Sequence, residues 1–282
     1  MIRILTDTGS DIPYLSAGDI GIEIVELDIR FDDMAYDYRN DADFSVFYKT
    51  LTQSKTLPTT SLVSPGQYLP IFEDVKEKGG EMLVVTISGG LSGTYQSAVS
   101  ARDMCGYDSI TVVDSRQCAV TQRMLVEHAV KMRDEGQSRD AMAKALEELR
   151  DRLSLLVLLD TLTFLRKGGR IPSTLAILGE VLNMKPVVTV RDGKVEPLKK
   201  VRGAKAGVRA LWDQFEASTN DPDWPVYFGY THDKAKGEEF MTATKDKYNL
   251  AQCGLFSVGG VIGTHAGPGA IAIGYMKKAD HN

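Results

Sequence analysis

Met82-Leu83-Val84-Val85-Thr86 runs directly into Ile87-Ser88-Gly89-Gly90-Leu91-Ser92-Gly93-Thr94-Tyr95-Gln96-Ser97-Ala98, so a continuous apolar run meets a glycine pair and then a helical pattern. The stretch reads as a strand, a tight turn and the start of a helix. Working outward, further runs rich in Ile, Val or Leu occupy 2–6, 22–29 and 109–113. Between them, Ser64-Pro65 has the form of an N-cap followed by proline at the first helical position and predicts a helix to about residue 78. The spacing predicts two more helices over 114–134 and 138–153, the second capped by Ser138 with Met142, Leu146 and Leu149 on one side. A second set of strands is expected at 154–159, 186–190, 225–230 and 251–258.

Strands alternating with helical patterns imply an α/β protein of two domains, each a mainly parallel sheet flanked by helices. The break between the two sets divides 1–153, which carries the anion-facing loops, from 154–282. The length of 282 residues suits two domains of ordinary size, and 43% hydrophobic with 25% charged residues is an ordinary globular composition. The richest apolar stretch, 155–165, contains Asp160 and Thr161 and falls short of the roughly 18 residues a membrane span needs. No stable membrane insertion is expected. Met1-Ile2-Arg3-Ile4-Leu5-Thr6-Asp7 reaches a carboxylate too soon for a secretory apolar region. Cys105, Cys118 and Cys253 are an odd, widely spaced set without metal-ligand spacing, which suits a reducing, cytoplasmic compartment. A net charge of −5 argues against a nucleic-acid surface.

The turn after residue 86 leaves backbone N–H groups unpaired at the positive end of a helix, and Ser92 adds a hydroxyl donor. A carboxylate or phosphate is the expected guest. The same spacing also fits Ser92 as a simple N-cap with no ligand. No lysine follows Gly93, which excludes a phosphate-cradling G-x-x-x-x-G-K-[ST] loop, and Ser92 followed directly by Gly93 is not a G-x-S-x-G elbow. Pro58-Thr59-Thr60-Ser61 gathers hydroxyls before the Ser64 helix start, as a second anion-facing cluster or as a solvated turn. Gly263-Thr264-His265-Ala266-Gly267-Pro268-Gly269 places one of four histidines in a glycine-rich turn, where His265 can donate to a carboxylate, carry a proton or serve only the fold. Gly168-Gly169 and Gly259-Gly260 lie near similar polar groups, and such glycines let a ligand approach backbone closely. Arg166, Lys167 and Arg170, then Lys199, Lys200, Arg202 and Lys205, concentrate cations in segments read as loops, fitting a docking face or an anion clamp. Asp7 and Ser10, at the carboxyl end of the first strand, line or brace the site.

These segments, taken in order, resemble the DegV family of fatty-acid-binding proteins. The resemblance rests on Thr6-Asp7 with Asp11-Ile12-Pro13, Thr60-Ser61 before Ser64-Pro65-Gly66, Leu91 through Ala98, Val113-Asp114-Ser115, Leu165 through Ile171, and His265-Ala266-Gly267-Pro268-Gly269. It implies a long-chain fatty acid as ligand, with its carboxyl held by Thr60 and Ser92; the glycine-flanked His265, read from the residues themselves, is the further candidate donor. Ser61, Gly93, Thr94 and Asp7 are then supporting residues. It also implies that some members hand the fatty acid to a separate ATP-dependent fatty acid kinase, which phosphorylates the carboxyl while the carrier holds it; Arg166, Lys167, Arg170 and Arg202, from their charge alone, are the candidate partner or anion contact. No catalytic residue, metal or cofactor of its own is implied. Leu62-Val63 stands where members commonly have Gln-Pro, Gly89 where a second serine is common, and Cys118, Val120 and Thr121 replace small and methionine residues.

Physical chemistry accords with such a ligand. A buried carboxylate needs hydroxyl donors and a helix N-terminus in place of water. At ~0.8 kcal/mol per CH₂, roughly 14 methylenes contribute ~11 kcal/mol before ordering costs. The rival readings are a serine hydrolase or acyltransferase using Ser92, His265 and an orienting Asp7 or Asp114, a carrier of another small anion, and a purely structural partner protein.

Overall fold

The computed structural model describes residues 2–32, 34–37, 44–171 and 183–279. Pro172, next to the first basic segment, lies outside them. Strands β1 (Arg3–Asp7), β2 (Glu23–Val25), β6 (Met82–Thr86) and β7 (Ile110–Asp114) form a sheet in the order β2-β1-β6-β7, and every pairing in it is parallel. β6 is buried along its whole length because both faces are covered. Met82 and Val84 face Tyr68 and Phe72 of α3 (Pro65–Glu77) and Ala98 and Ala101 of α4 (Thr94–Cys105). Leu83 and Val85 face Met124 and Leu125 of α5 (Ala119–Asp134) and Met142 and Leu146 of α6 (Arg139–Arg150). This explains the unbroken apolar run in the sequence, since a strand covered on both faces has no reason to alternate.

α3 starts where Ser64-Pro65 predicts, with the Ser64 N–H donating to Gln67 Oε1 at 2.9 Å. The helix expected from residue 114 begins instead at Ala119. Asp114 accepts the Arg116 N–H at 2.9 Å, and Arg116 holds a positive φ that breaks any helix running through it, while the positive φ of Ala119 marks the turn into the first residue of α5. The run at 22–29 divides between β2 and β3 (Ile29–Phe31), the latter in a small sheet with β4 (Met34–Ala35) and β5 (Thr59–Thr60). Two short helices, α1 (Tyr14–Asp19) and α2 (Ser45–Gln53), complete this half among the described residues.

The second sheet contains β8 (Leu153–Leu158), β9 (Met184–Arg191), β10 (Lys194–Arg202), β11 (Val226–Tyr230), β12 (Cys253–Ser257) and β13 (Ile271–Met276), ordered β10-β9-β8-β13-β11-β12. The α/β class holds, but the expected parallel pairing holds in this sheet only between β11 and β12. The remaining ladders are antiparallel. Connection length accounts for two of these pairings. A two-residue Asp192-Gly193 turn joins β9 to β10, and so short a link can join only antiparallel neighbours, whereas β11 and β12 are separated by a whole helix, α9 (Lys234–Tyr248). The segment 199–202, read as a loop, is the end of β10. The other helices are α7 (Thr163–Lys167), α8 (Ala204–Ala217) and α10 (Gly260–Ala266). α8 and α9 cover one face of this sheet through Leu211, Phe215 and Phe240 packed on Leu156, Leu158, Phe228 and Ile273.

The opposite face turns toward the first half. α5 packs there on small residues: a Cβ at Gly274 would lie 2.9 Å from both Val120 and Thr121. The helix that covers the parallel sheet therefore also touches the mixed one. Among the described residues no helix is long and apolar enough to cross a membrane.

Candidate functional site

The turn after β6 is held from several sides. The Ile87 N–H donates to Asp7 Oδ2 at 2.7 Å, while Asp7 Oδ1 accepts from Gly9 N at 2.9 Å and Gln122 Nε2 at 3.1 Å. Burial pushes the Asp7 carboxyl up to about 6, opposed by these same hydrogen bonds. Gly89 N donates to Asp114 Oδ1 at 3.0 Å. Ser92 Oγ accepts the Thr94 N–H at 3.3 Å and lies 2.9 Å from Thr94 Oγ1, while the N-cap position of α4 itself is Gly93, one residue beyond the Ser92 that the sequence offered. Thr94 Oγ1 in turn accepts the Val63 N–H at 3.3 Å, which fastens the segment after β5 onto the turn. A Cβ at Gly93 would lie 2.8 Å from Leu62 Cδ2, so the two loops touch.

β5 and α10 bring a second pair together. Thr60 Oγ1 and His265 Nε2 are 2.9 Å apart, although 205 residues separate them in sequence. The imidazole lies against Gly168, where any Cβ would collide with Nδ1. Arg170 Nη1 donates to Gly168 O at 2.6 Å and its Nε to Leu91 O at 3.2 Å, joining the residues after α7 to the Ser92 turn. Burial first, and the Arg170 charge second, push His265 down to about 4. The ring is neutral at neutral pH. With its proton on Nε2 it donates to Thr60 Oγ1 and leaves the Thr60 hydroxyl hydrogen for a ligand.

Thr60, Ser61, Ser92, Gly93, Arg170 and His265 all border one cavity of about 450 Å³. Away from this polar end its walls are apolar apart from Thr189 and Thr231, as in ligand pockets generally. Leu155, Val157 and Leu159 enter it at every second position, as the strand period requires. Gly229, Ala272, Val157 and Val188 are successive cross-strand partners over β11, β13, β8 and β9, and all four line it. Val261 and Ile262 of α10, with Ile87, Cys118 and Ala119, close the side facing the first half. The Cys118 thiol, pushed up to about 12 by burial, stays protonated and adds no charge to the wall.

Of the residues singled out from sequence, Thr60, Ser61, Ser92, Gly93, Arg170 and His265 meet at the cavity. Thr94 and Asp7 stand behind it and hold its loops. Arg166 and Lys167 are exposed on α7, and Arg202 ends β10 opposite Met184, away from the lining. The cavity walls were not mapped from sequence, although the alternation at 155, 157 and 159 carries their signal. Several glycines serve aromatic neighbours instead of a ligand: a Cβ at Gly260 would lie 2.8 Å from Phe47, and one at Gly263 would collide with the Tyr48 hydroxyl.

The fold and the site define an α/β protein with an apolar cavity between its mixed sheet and the loops of its parallel half, rimmed at one end by hydroxyls, an imidazole and a guanidinium. The chain belongs to the DegV family, whose model, described as an uncharacterised protein of that family, matches residues 1–278. A DegV domain-containing protein of Caldanaerobacter subterraneus subsp. tengcongensis is 34% identical over 278 residues, covering 98% of this chain and 99% of that one. A DegV family protein of Thermus thermophilus, solved as a fatty acid binder, is 29% identical with a TM-score of 0.84 over 98% of this chain and 99% of that one. A stearic acid-binding protein of Eubacterium ventriosum is 26% identical with a TM-score of 0.86 over 99% of each.

Proposed function

We propose that this chain binds a long-chain fatty acid without transforming it and presents the carboxyl group to an ATP-dependent fatty acid kinase for phosphorylation. The observation that carries the reading is the meeting of Thr60, Ser92, Arg170 and His265 at one end of an otherwise apolar cavity. Hydroxyl and guanidinium donors replace the water that a carboxylate loses, and the strand row from Gly229 to Val188 receives the tail. Another small anion would use the polar end and leave the apolar walls unfilled. Ser61 and Gly93, at the same rim, are exposed, which leaves the head group within reach of a second protein. Arg166 and Lys167 offer that protein a basic surface on α7.

A hydrolase is disfavoured by the geometry. Ser92 Oγ is engaged with Thr94 and His265 Nε2 with Thr60, while Asp114 Oδ1 holds Gly89 N and Arg116 N. Among the described residues His265 Nδ1 has no hydrogen-bond partner, so no carboxylate orients the ring, and a ring pushed down to about 4 is a weak base.

Native mass spectrometry of protein purified from a bacterial host tests the binding. The expected result is a mass excess equal to a long-chain fatty acid, lost in Thr60→Val/Ser92→Ala while the circular dichroism spectrum is kept. A ligand-free wild-type spectrum under gentle conditions, or unchanged lipid in the double variant, removes the carrier reading or its head-group site respectively. Kinase presentation is tested with Lys167→Glu, which should keep its lipid and slow phosphorylation by a fatty acid kinase. An unchanged rate removes α7 from the contact surface.

A further inference from the structure

Ser88 is fully buried and has no access to the cavity, yet it organises the turn that carries Ser92. Its carbonyl accepts the Leu91 N–H at 3.0 Å and the Ser92 N–H at 3.1 Å, and its own N–H donates to Gln117 O at 2.9 Å. Its hydroxyl accepts the Gly90 N–H at 3.1 Å and donates to Gly193 O at 2.7 Å. Gly193 belongs to the other half of the molecule, at the tip of the β9–β10 hairpin. Asp192 and Gly193 both have positive φ, 48° and 74°, the geometry of a two-residue type I′ turn. The contact is close on both sides. A Cβ on Gly193 would lie 2.5 Å from Ser88 Oγ, and one on Gly90 would collide with the Gly193 carbonyl.

The same hairpin supplies cavity wall. Val188 and Val190 of β9 and Val195 of β10 line the apolar part. One buried hydroxyl thus joins the backbone that aims Ser92 to the strands that hold the tail. We infer that Ser88 and Gly193 form a latch between the two halves that positions Ser92 toward the ligand carboxylate, making Ser88 a positioning residue and not a ligand contact. The inference rests on the carrier reading and deepens it. Ser88→Ala leaves the Gly193 carbonyl buried without its donor and frees the Gly90 N–H, so the turn no longer has a fixed relation to the wall.

Binding of palmitate and of methyl palmitate to delipidated protein, each by displacement of a fluorescent fatty acid, distinguishes positioning from packing. Ser88→Ala should weaken palmitate about tenfold and the ester less than about twofold, since the ester lacks the charge that the donors serve. Gly193→Ala reaches the same latch from the opposite half and should give the same selective loss, so a misfolded Ser88→Ala leaves the question answerable. The double variant should lose little beyond either single one. Equal losses for acid and ester would make the latch a packing contact, and unchanged palmitate binding in the folded variants would remove it altogether. Wild-type protein that holds the ester as tightly as the acid defeats the carboxylate site itself, and that result is read from the wild type alone.

Discussion

The His265 ring owes its state to residues that sequence proximity does not reveal. Gly168 gives it room and Arg170 adds positive charge nearby, so the proton is held weakly. A histidine that falls from 6.5 to about 4 on folding contributes stability that is complete above pH 6.5 and is lost as the pH falls toward 4. Asp7 acts in the opposite sense. Raised to about 6, it favours the folded state below about pH 4, and that contribution is lost as the pH rises through 6. His265→Gln should therefore gain stability relative to wild type as the pH drops from 6.5 to 4 in urea melts, and histidine NMR of wild type should place this ring's titration near 4. A titration near 6.5 would mean that the ring is solvated. From the residues alone, His265 stands out by the glycines around it and Ser92 by its hydroxyl, whereas Thr60 is one of three clustered hydroxyls that only the family resemblance singles out. The sequence could not reveal that Thr60 reaches the imidazole, because that contact depends on how β5 and α10 meet.

At the scale of elements, the parallel sheet was legible because β6 is apolar throughout and its turn is rich in glycine. β10 was not. A register shift between Pro197 and Lys199 leaves Val195, Leu198 and Val201 three residues apart, which hides the two-residue period of a strand. The Asp192-Gly193 pair between apolar runs is a hairpin signal, and it fixes β9 and β10 as antiparallel neighbours; the ladders of β8 with β9 and β13, and of β13 with β11, join strands far apart in sequence. α10 illustrates the reverse. Its glycines at 260 and 263 invite a ligand in the sequence, but in the fold they admit Phe47 and Tyr48, whose hydroxyl donates to Val258 O at 2.7 Å. Gly263→Val would drive that helix off Tyr48 and should cost about 2 kcal/mol, an overpacking penalty, in chemical denaturation. A loss below about 0.5 kcal/mol would show that α10 shifts freely.

For the molecule as a whole, the cavity is a property of both halves at once, since Thr60 and Ser92 come from one and His265 with the strand row from the other. A ligand held across that boundary stabilises the folded state by mass action. Delipidated wild type should melt below the loaded protein. Ala272→Phe, which fills the strand row, should abolish the difference while the empty variant remains folded; a persistent difference would place the tail elsewhere. The mixed sheet has one further consequence. β10 is a terminal strand of its sheet, and it carries an exposed Pro197, the register shift, and exposed Lys194, Lys199 and Arg202. Proline withholds a donor there, the shift breaks the straight row of carbonyls, and like charges repel a copy of the same strand. Cations that in the sequence suggest a place for partners to dock therefore also guard the protein against growing into a continuous sheet with itself.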